Sequence, residues 1–364
     1  LLKVIICNNT QLLFLGDSLQ RIYGFIGALP NIMSIAKDEF NMEEIALNKN
    51  YRFMNNAEML RLDKNIRNNA KNSFGVESLE NAKLPTIFRS THEEESDAIC
   101  ELIKNIIDND EKSKIALLFR GRGKDVEITQ GILETLEEKY FYGMFTDDDE
   151  RYIAFHFLCQ TIFIKKFGTR KSITNHALES FVNEIRNEYD GTNSEEISSL
   201  LILLDAFITK VKVDYCDLLP EDKYVLLLDA FENRQLKQAM EYVDTRIILS
   251  TVHGAKGLEW DYVIIADLER WIFPSFAVCS VCDNRFNNDV ERCSLPKNLS
   301  EELLNQLIEE ISVFYVAVTR ARKQVYVSAS LERYNTNGQK KQSCISCFGA
   351  LNGIQLIKAQ GCLL

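Results

Sequence analysis

Residues 246–266 read Arg246-Ile-Ile-Leu-Ser-Thr-Val-His-Gly-Ala-Lys-Gly-Leu-Glu-Trp-Asp-Tyr-Val-Ile-Ile-Ala266. The two ends of this stretch, 246–249 and 262–266, are short apolar runs typical of buried strands, and a polar turn with two glycines lies between them. Similar apolar runs occur at 114–119 and 324–328, separated by stretches with helical spacing. This alternation predicts an α/β fold built on a parallel sheet.

A helical insertion is predicted between residues 147 and 243. In that interval apolar residues recur every three or four positions, as at Ile197, 200–204 and Phe207. The sheet domain is therefore expected to be split into residues 41–146 and 244–335. Residues 1–40, with a predicted strand at 11–15, form a separate preceding unit, and residues 336–364 are assigned to a tail.

Composition limits the function. The chain has 364 residues, of which 46% are hydrophobic and 26% charged, and this is typical of a globular protein of two or three domains. No apolar run reaches the ~20 residues of a membrane helix, so no membrane partner is expected. Ten cysteines without an export signal predict reduced thiols in the cytoplasm. The net charge of −11 disfavours a free-standing, non-specific DNA binder, so a nucleic-acid contact is expected only in a local groove.

The turn at 251–260 carries the strongest functional signal. Gly254 and Gly257 let the backbone approach a ligand closely. Thr251 and His253 can bond a nucleic-acid backbone, and Glu259 can accept a hydrogen bond from a ribose hydroxyl. The structural alternative is a glycine-containing turn between two buried strands, but such turns rarely combine all these residues.

Two earlier segments offer similar chemistry. Gln20 follows the predicted strand at 11–15 and can bond a phosphate, while Tyr23 and Phe25 present stacking faces for bases. Tyr51 and Arg52 supply another ring and a guanidinium able to bind phosphate through two hydrogen bonds. The alternatives are core aromatics in the first segment and an ordinary surface pair in the second.

Two further arginines follow apolar elements. Arg320 lies at the end of an amphipathic helix predicted within 309–322, where a guanidinium can stabilise charge during phosphoryl transfer or simply cap the helix. Arg120 ends the apolar run at 114–119 and is interpreted as a contact to the DNA backbone. The adjoining loop at 121–125 fails the G-x-x-x-x-G-K-[ST] phosphate-loop pattern.

Two C-x-x-C pairs, Cys279 with Cys282 and Cys344 with Cys347, have spacings found in tetrahedral zinc sites. Cys293 lies between the pairs. The 61-residue gap and the apolar setting of the second pair favour ordinary buried thiols over a metal. Zinc therefore stays the less favoured of two open interpretations.

In chain order, segments 16–28, 47–52, 251–260 and 309–322 resemble the nucleotide- and DNA-coupling motifs of UvrD/Rep-type superfamily 1 DNA helicases. The resemblance covers roughly residues 11–330. It implies a 3′–5′ DNA helicase or translocase with ATP and Mg²⁺ as cofactors. It also implies that the sheet domain is a second RecA-like domain, and that residues 1–40 are the C-terminal edge of a first one.

The resemblance assigns roles to individual residues. At the nucleotide it implies Gln20 as phosphate sensor, Tyr51 against adenine, Arg52 at the γ-phosphate, Gly257 and Glu259 beside the nucleotide, and Arg320 as arginine finger. At DNA it implies Tyr23 and Phe25 as base-stacking residues, with Thr251 and His253 on the backbone.

Two elements of such enzymes do not occur in the sequence: a phosphate loop, and an Asp-Glu pair at the end of a strand. The chain is therefore expected to begin after those motifs, to supply one half of an ATP site, and to be inactive as an ATPase by itself. Its expected partners are single-stranded or partly duplex DNA and an upstream helicase half or a partner protein. The alternative is a non-enzymatic, truncated helicase-like module that binds single-stranded DNA or a partner protein.

Overall fold

The computed structural model describes residues 10–22, 32–47, 49–72, 74, 79–136, 138–192, 194–285 and 291–359. Tyr23 and Phe25, predicted to stack on bases, lie outside the described residues. None of the described helices is long and apolar enough to cross a membrane.

Ten α-helices are described: α1 Ile32–Phe40, α2 Ala57–Lys71, α3 His92–Asn109, α4 Lys124–Leu133, α5 Glu150–Phe167, α6 Asn175–Glu188, α7 Glu195–Asp214, α8 Pro220–Glu232, α9 Phe276–Val281 and α10 Glu301–Val318. The described strands are β1 Ala82–Arg89, β2 Ile115–Phe119, β3 Tyr140–Tyr142, β4 Ile247–Thr251, β5 Trp260–Ile265, β6 Ala321–Ser330, β7 Glu332–Tyr334, β8 Lys340–Gln342 and β9 Ile354–Lys358. Short 3₁₀ helices cover Ser18–Gln20, Leu236–Tyr242 and Cys347–Ala350.

Within the described residues, seven strands form one sheet in the order β3-β4-β2-β5-β6-β1-β9, and every neighbouring pair is parallel. Strand β2 lies at the centre, with Leu117 opposite Leu249 on one side and Ile264 on the other. All five residues of β2 are buried, as expected for a strand covered on both faces. This sheet confirms the α/β fold class.

Side chains of β2 alternate between two cores because successive strand residues point to opposite faces. Leu117 packs with Ile103 of α3 and Val126 of α4. Ala116 and Leu118 belong to the opposite core, which includes Ile66 of α2 and Phe314 of α10. The sheet is thus enclosed by α3 and α4 on one face and by α2 and α10 on the other.

Helices α5–α8 lie in the chain between β3 and β4, within the interval 147–243. Their core is a cluster of aromatic rings centred on Phe163 of α5, whose ring centroid lies 5.2–5.6 Å from those of Phe167, Phe181, Tyr224 and Phe231. Rings at these separations in stacked, tilted and edge-on arrangements add to the stabilisation from burial. The three helices α5, α6 and α8 are therefore held together by one cluster.

Two local predictions differ from the structure. Residues 10–17 form no helix or strand, so the strand predicted at 11–15 is wrong; Leu13 and Leu15 are 81% and 79% exposed. An apolar run becomes a strand only beside a neighbour that pairs its N–H and C=O groups, and the described residues supply none there. The segment 336–364, assigned to a tail, contributes β9, which pairs with β1 at the edge of the sheet.

Replacing Phe163 by Ala should destabilise the helical insertion, because the fully buried ring contacts three helices. We expect a loss of about 3–5 kcal/mol in the free energy of unfolding, measured by urea denaturation with hydrogen exchange to locate the effect. Phe157→Ala on the same helix is the control, since its ring is 68% exposed. Equal effects for the two variants would refute the role given to the cluster.

Candidate nucleotide and nucleic-acid site

Glu259 is the centre of a charged group that joins distant parts of the chain. One carboxylate oxygen pairs with Nη2 of Arg52, and the other accepts a hydrogen bond from Nε of Arg322 at 3.0 Å. Arg52 also donates from Nη1 to the backbone carbonyl of Thr319 at 2.7 Å. The turn after β4, the loop before α2 and the end of α10 therefore meet at one carboxylate.

Arg320 is buried beside this group, with 3% of its surface exposed. Its guanidinium donates to the carbonyl of Val316 at 3.0 Å, to the carbonyl of Leu258 at 3.2 Å and to the Thr319 hydroxyl at 3.2 Å. Burial and the nearby Arg52 lower the pKa of Arg320 to about 10, so the guanidinium keeps its charge at neutral pH. The side chain is thus fixed in position and charged.

The group carries an excess of positive charge. Burial would raise the pKa of Glu259, but hydrogen bonds and charge from Arg322 and Arg52 outweigh it and lower that pKa below 4.5. One carboxylate then faces the guanidiniums of Arg52, Arg320 and Arg322, which leaves two net positive charges (three minus one). Such an excess favours an anion with several oxygens, such as a phosphate.

Tyr51 lies next to this charged group in the chain and is 72% exposed. The ammonium of Lys49 lies 4.6 Å from the centroid of its ring. Lys49 covers one face of this exposed ring, so a planar ligand would stack on the other face or displace the ammonium.

The turn that delivers Glu259 depends on its two glycines. Thr251, at the end of β4, accepts a hydrogen bond from the N–H of Gly254 at 3.0 Å. A Cβ on Gly254 would lie 2.9 Å from Oγ of Ser250, so a larger residue would push the turn open. Gly257 has a φ of +91°, which side-chain-bearing residues rarely adopt. These constraints set where Glu259 sits before β5 begins.

His253 connects the same turn to the segment that contains Gln20. Its Nε2 lies 3.1 Å from the carbonyl oxygen of Ile22, and because a carbonyl only accepts, Nε2 is the donor. Burial and the charge of Arg120 lower the pKa of His253, so the imidazole is neutral at pH 7. Ile22 directly precedes Tyr23 in the chain.

Arg120, predicted to contact DNA, forms a two-point ion pair with Glu310 of α10. Nε and Nη2 donate to the two carboxylate oxygens at 3.2 and 2.8 Å. The guanidinium is thus committed to a partner within the protein, and its charge is balanced. A phosphate would have to compete with Glu310 for it.

Gln20 lies in a neighbouring group rather than in contact with Glu259. Its amide donates to Asp17 at 3.1 Å, and Asp17 accepts two hydrogen bonds from Arg67 of α2, at 2.9 and 2.6 Å. Arg67 also bonds the hydroxyl of Tyr315. Tyr315 and Thr319 are four residues apart at the end of α10, so one helical turn separates the Gln20 group from the Glu259 group.

The four cysteines of the C-x-x-C pairs are buried, and the structure brings the two pairs together around Cys293.

A second buried group was not signalled by any sequence motif. His92 at the start of α3 has Nδ1 3.4 Å from Glu95, 3.7 Å from Asp267 and 3.8 Å from Asp125. Burial would lower the pKa of His92, but Glu95 and Asp267 outweigh it and raise that pKa to about 10, so a single imidazolium faces three carboxyl groups. Burial raises the pKa of Asp125 and of Asp267, which reduces the negative charge around the imidazolium.

Residues 164–332 match the family described as the UvrD-like helicase C-terminal domain. The chain is 24% identical over 404 residues to a probable DNA helicase II homolog of Mycoplasma genitalium, with 95% of this chain and 54% of that protein covered. It is 22% identical over 390 residues to the homolog of Rickettsia conorii, covering 87% and 56%. A match to the ATP-dependent DNA helicase PcrA of Staphylococcus epidermidis is 25% identical over 205 residues, covering 56% and 25%.

These matches support a relationship to the C-terminal part of UvrD/Rep-type superfamily 1 helicases. The similarity to the UvrD-like helicase C-terminal domain lies in residues 164–332. The chain spans about half the length of the DNA helicase II homologs that it matches, at 54% and 56%. The family match at residues 164–332 contains Glu259 and Arg320 but not Arg52.

Glu259→Gln should lower stability, because Arg52, Arg320 and Arg322 then repel one another without a counter-charge. We expect a loss of about 1–2 kcal/mol at pH 7. Since the folded pKa of Glu259 lies below 4.5, its contribution is present above that pH and disappears as the pH falls through the folded value. The difference between wild type and variant, measured by urea denaturation, should therefore narrow below pH 4.5.

The control for this series is Glu111→Gln, which removes the same charge from an exposed side chain. It should change stability by less than about 0.5 kcal/mol at pH 7. A Glu259→Gln effect that is no larger, or that stays constant from pH 7 to pH 3.5, would show that the carboxylate does not stabilise the group.

Proposed function

We propose that this chain supplies the arginine finger and the DNA-coupling residues of an ATP-driven, 3′–5′ UvrD-like DNA helicase. The observation that carries the proposal is the meeting of Arg52, Arg320 and Arg322 around Glu259 and the end of α10. The names of the similar proteins, DNA helicase II homologs and PcrA, support the same activity class.

On the nucleotide side, Arg320 and Arg52 approach the γ-phosphate, and Tyr51 stacks on the adenine. Glu259 and the backbone at Gly257 contact the nucleotide. Arg320 suits the finger role because its position is fixed by hydrogen bonds to Val316 and Leu258 before any ligand arrives. A guanidinium that needs no reorganisation stabilises charge on the transferring phosphoryl group at low cost.

Gln20 senses the same nucleotide from one helical turn away. Hydrogen bonds connect Gln20 to Tyr315 through Asp17 and Arg67. Tyr315 lies four residues before Thr319, which accepts the hydrogen bond from Arg52. A change at the phosphate is thereby transmitted to the segment that precedes Tyr23. This arrangement couples nucleotide and DNA without requiring Gln20 to touch Glu259.

On the DNA side, Thr251 and His253 hold the backbone while Tyr23 and Phe25 stack on bases. The hydrogen bond from His253 to Ile22 supports these two roles. It connects the turn that would bind the DNA backbone to the residue directly before Tyr23. Closing and reopening of the ATP site then moves the strand. Because the whole chain carries a net charge of −11, we expect this contact in a groove around the turn, with Arg120 contributing only if it exchanges Glu310 for phosphate.

The complete ATP site needs a phosphate loop and an Asp-Glu pair for Mg²⁺, and the 364 residues contain neither motif. We propose that a helicase half outside these residues supplies them, and that the chain alone hydrolyses ATP at a negligible rate. The absence of the loop motif also favours a second candidate: a non-enzymatic module that binds single-stranded DNA or a partner protein.

Arg320→Ala should abolish hydrolysis while sparing nucleotide binding. The assay uses this chain joined to, or mixed with, a helicase half that carries the phosphate loop and the Asp-Glu pair. We expect DNA-stimulated kcat to fall by about 10³-fold or more, with the Kd for ATP within threefold of wild type. Arg186→Ala, an exposed arginine on α6, is the control and should keep wild-type activity.

Hydrolysis that survives in Arg320→Ala would refute the finger assignment. Failure of the reconstituted wild-type protein to hydrolyse ATP, combined with DNA binding by the chain alone, would favour the non-enzymatic module. Arg320→Lys separates charge from geometry, because Lys keeps the charge but cannot reproduce the hydrogen bonds to Val316 and Leu258.

His253→Ala should weaken binding of single-stranded DNA, because it removes the bond that ties the turn to Ile22. We expect a loss of roughly tenfold in affinity, or about 1.4 kcal/mol, in fluorescence anisotropy with a labelled oligonucleotide at fixed salt. His176→Ala, an exposed histidine on α6, is the matched control. An unchanged Kd for His253→Ala would remove this residue from the DNA interface.

A further inference from the structure

Five cysteines from three separate segments come together beside α10. Each is between 1% and 9% exposed: Cys279 in α9, Cys282 just after it, Cys293, and Cys344 and Cys347 near the C-terminal end of the chain. The thiols of Cys293 and Cys344 hydrogen-bond each other, and Cys347 is close enough to Cys279 and Cys282 for their charges to interact.

A small backbone scaffold holds these segments together. The N–H of Cys293 donates to the carbonyl of Ile345 at 2.8 Å, and the N–H of Ile345 donates to Glu291 at 2.8 Å. On the other side, the N–H of Arg270 donates to the carbonyl of Cys344 at 3.0 Å. Main-chain hydrogen bonds of this kind fix the positions of the three segments relative to one another. The backbone, and not only the side-chain packing, therefore brings the cysteines together.

The thiols surround a cavity. Its volume is about 20 Å³, and Cys279, Cys282, Cys293 and Cys347 line it. This is room for one atom-sized guest. The sulfurs are less tightly grouped than His92, Glu95 and Asp267, whose potential ligand atoms all lie within 4.8 Å of one another. A metal with a ligand distance of about 2.3 Å to sulfur would draw the four thiols inward.

Donors and cations around the cavity suit thiolates. The backbone N–H of Trp271 donates to Sγ of Cys279 at 3.3 Å, and the N–H of Asn284 donates to the sulfur of Cys282, two residues before it. Arg270 and Arg285 also line the cavity. Four thiolates around a divalent cation carry a net charge of about −2, and two guanidiniums offset it.

We propose that Cys279, Cys282, Cys293 and Cys347 bind one structural zinc ion. Four S–H protons pass to solvent as four Zn–S bonds form, and no redox step is involved. Cys344 is not a ligand; once Cys293 binds zinc as a thiolate, the Cys344 thiol donates the hydrogen bond between the two sulfurs. In this ligand set Cys293, which lies outside both C-x-x-C pairs, takes the place of Cys344.

The site acts on the position of α10. Leu307 of that helix lines the same cavity, and the helix ends next to Arg320. Bound zinc cross-links 279–282, 293 and 347 beside this helix and so stiffens the support of the charged group at its far end. Its loss should loosen this region first, because four-coordinate thiolate sites contribute directly to folding free energy.

The test measures metal in the full 364-residue chain, purified without a histidine tag under reducing conditions. Mass spectrometry of the metal should find one zinc per chain, and a mercurial that reacts with thiols should release it. The Cys282→Ser and Cys293→Ser variants should each contain at least tenfold less zinc per chain than the wild type. Cys344→Ser and Cys216→Ser should retain it, the latter being an exposed cysteine outside the cluster.

Cobalt substitution of the wild-type chain keeps the test decisive if the serine variants do not fold. Co²⁺ should give the visible and charge-transfer absorption of a tetrahedral thiolate site. Fewer than 0.1 zinc per chain together with no such spectrum would overturn the proposal, as would full retention of zinc by Cys282→Ser. Loss of zinc in Cys344→Ser with retention in Cys293→Ser would overturn the choice of the fourth ligand. None of these outcomes depends on helicase activity.

Discussion

The ion pairs of Glu259 are the constraint on which the candidate site depends. This carboxylate joins Arg52, 207 residues earlier in the chain, to Arg322, 63 residues later. Glu259 offsets the mutual repulsion of these two arginines and Arg320, and Arg52 is held in addition by the carbonyl of Thr319. Part of the charge excess remains uncompensated in the protein, and this is what makes the group suitable for a phosphate ligand.

The second constraint is the C-terminal half of α10, which makes three polar contacts along its length. Glu310 binds Arg120, Tyr315 binds Arg67, and Thr319 receives Arg52. These contacts lie on successive turns of one helix, so a displacement of the helix affects all three together. The apolar residues of α10 anchor the helix against the sheet. In the proposed function this helix would link the nucleotide site to the DNA site.

Two buried groups with no direct part in the proposed reaction lie on either side of one short segment. Asp267 is one of the carboxyl groups around His92 and Glu269 lies close to them, whereas Arg270 faces the cysteine cluster. Residues 267–270 follow β5 closely, and the backbone of Arg270 is bonded to Cys344. The charge interactions of residues 267–270 and the hydrogen bond to Cys344 therefore position the C-terminal part of the chain against the sheet. Burying so many ionisable groups is costly unless each finds an opposite charge or a metal.

The sequence by itself determined the α/β class and the strands at 114–119, 246–249 and 262–266. It also singles out Thr251, Glu259 and Arg320, whose roles stay predictions. These features depend on local periodicity and on residue types that have few alternative uses. It predicted a strand at 11–15 wrongly and missed β9, because an apolar run becomes a strand only when a distant partner accepts its hydrogen bonds.

Tertiary structure alone decided which side chains share a partner. It placed Gln20 with Asp17 and Arg67 instead of Glu259, gave Arg120 to Glu310, and surrounded His92 with carboxylates. It also brought Cys293 to the cysteine pairs across a gap that spacing rules do not bridge. The physical reason is that ion pairs and thiol clusters depend on distances in space, which are set by the order of strands in the sheet and leave no periodic trace in the chain.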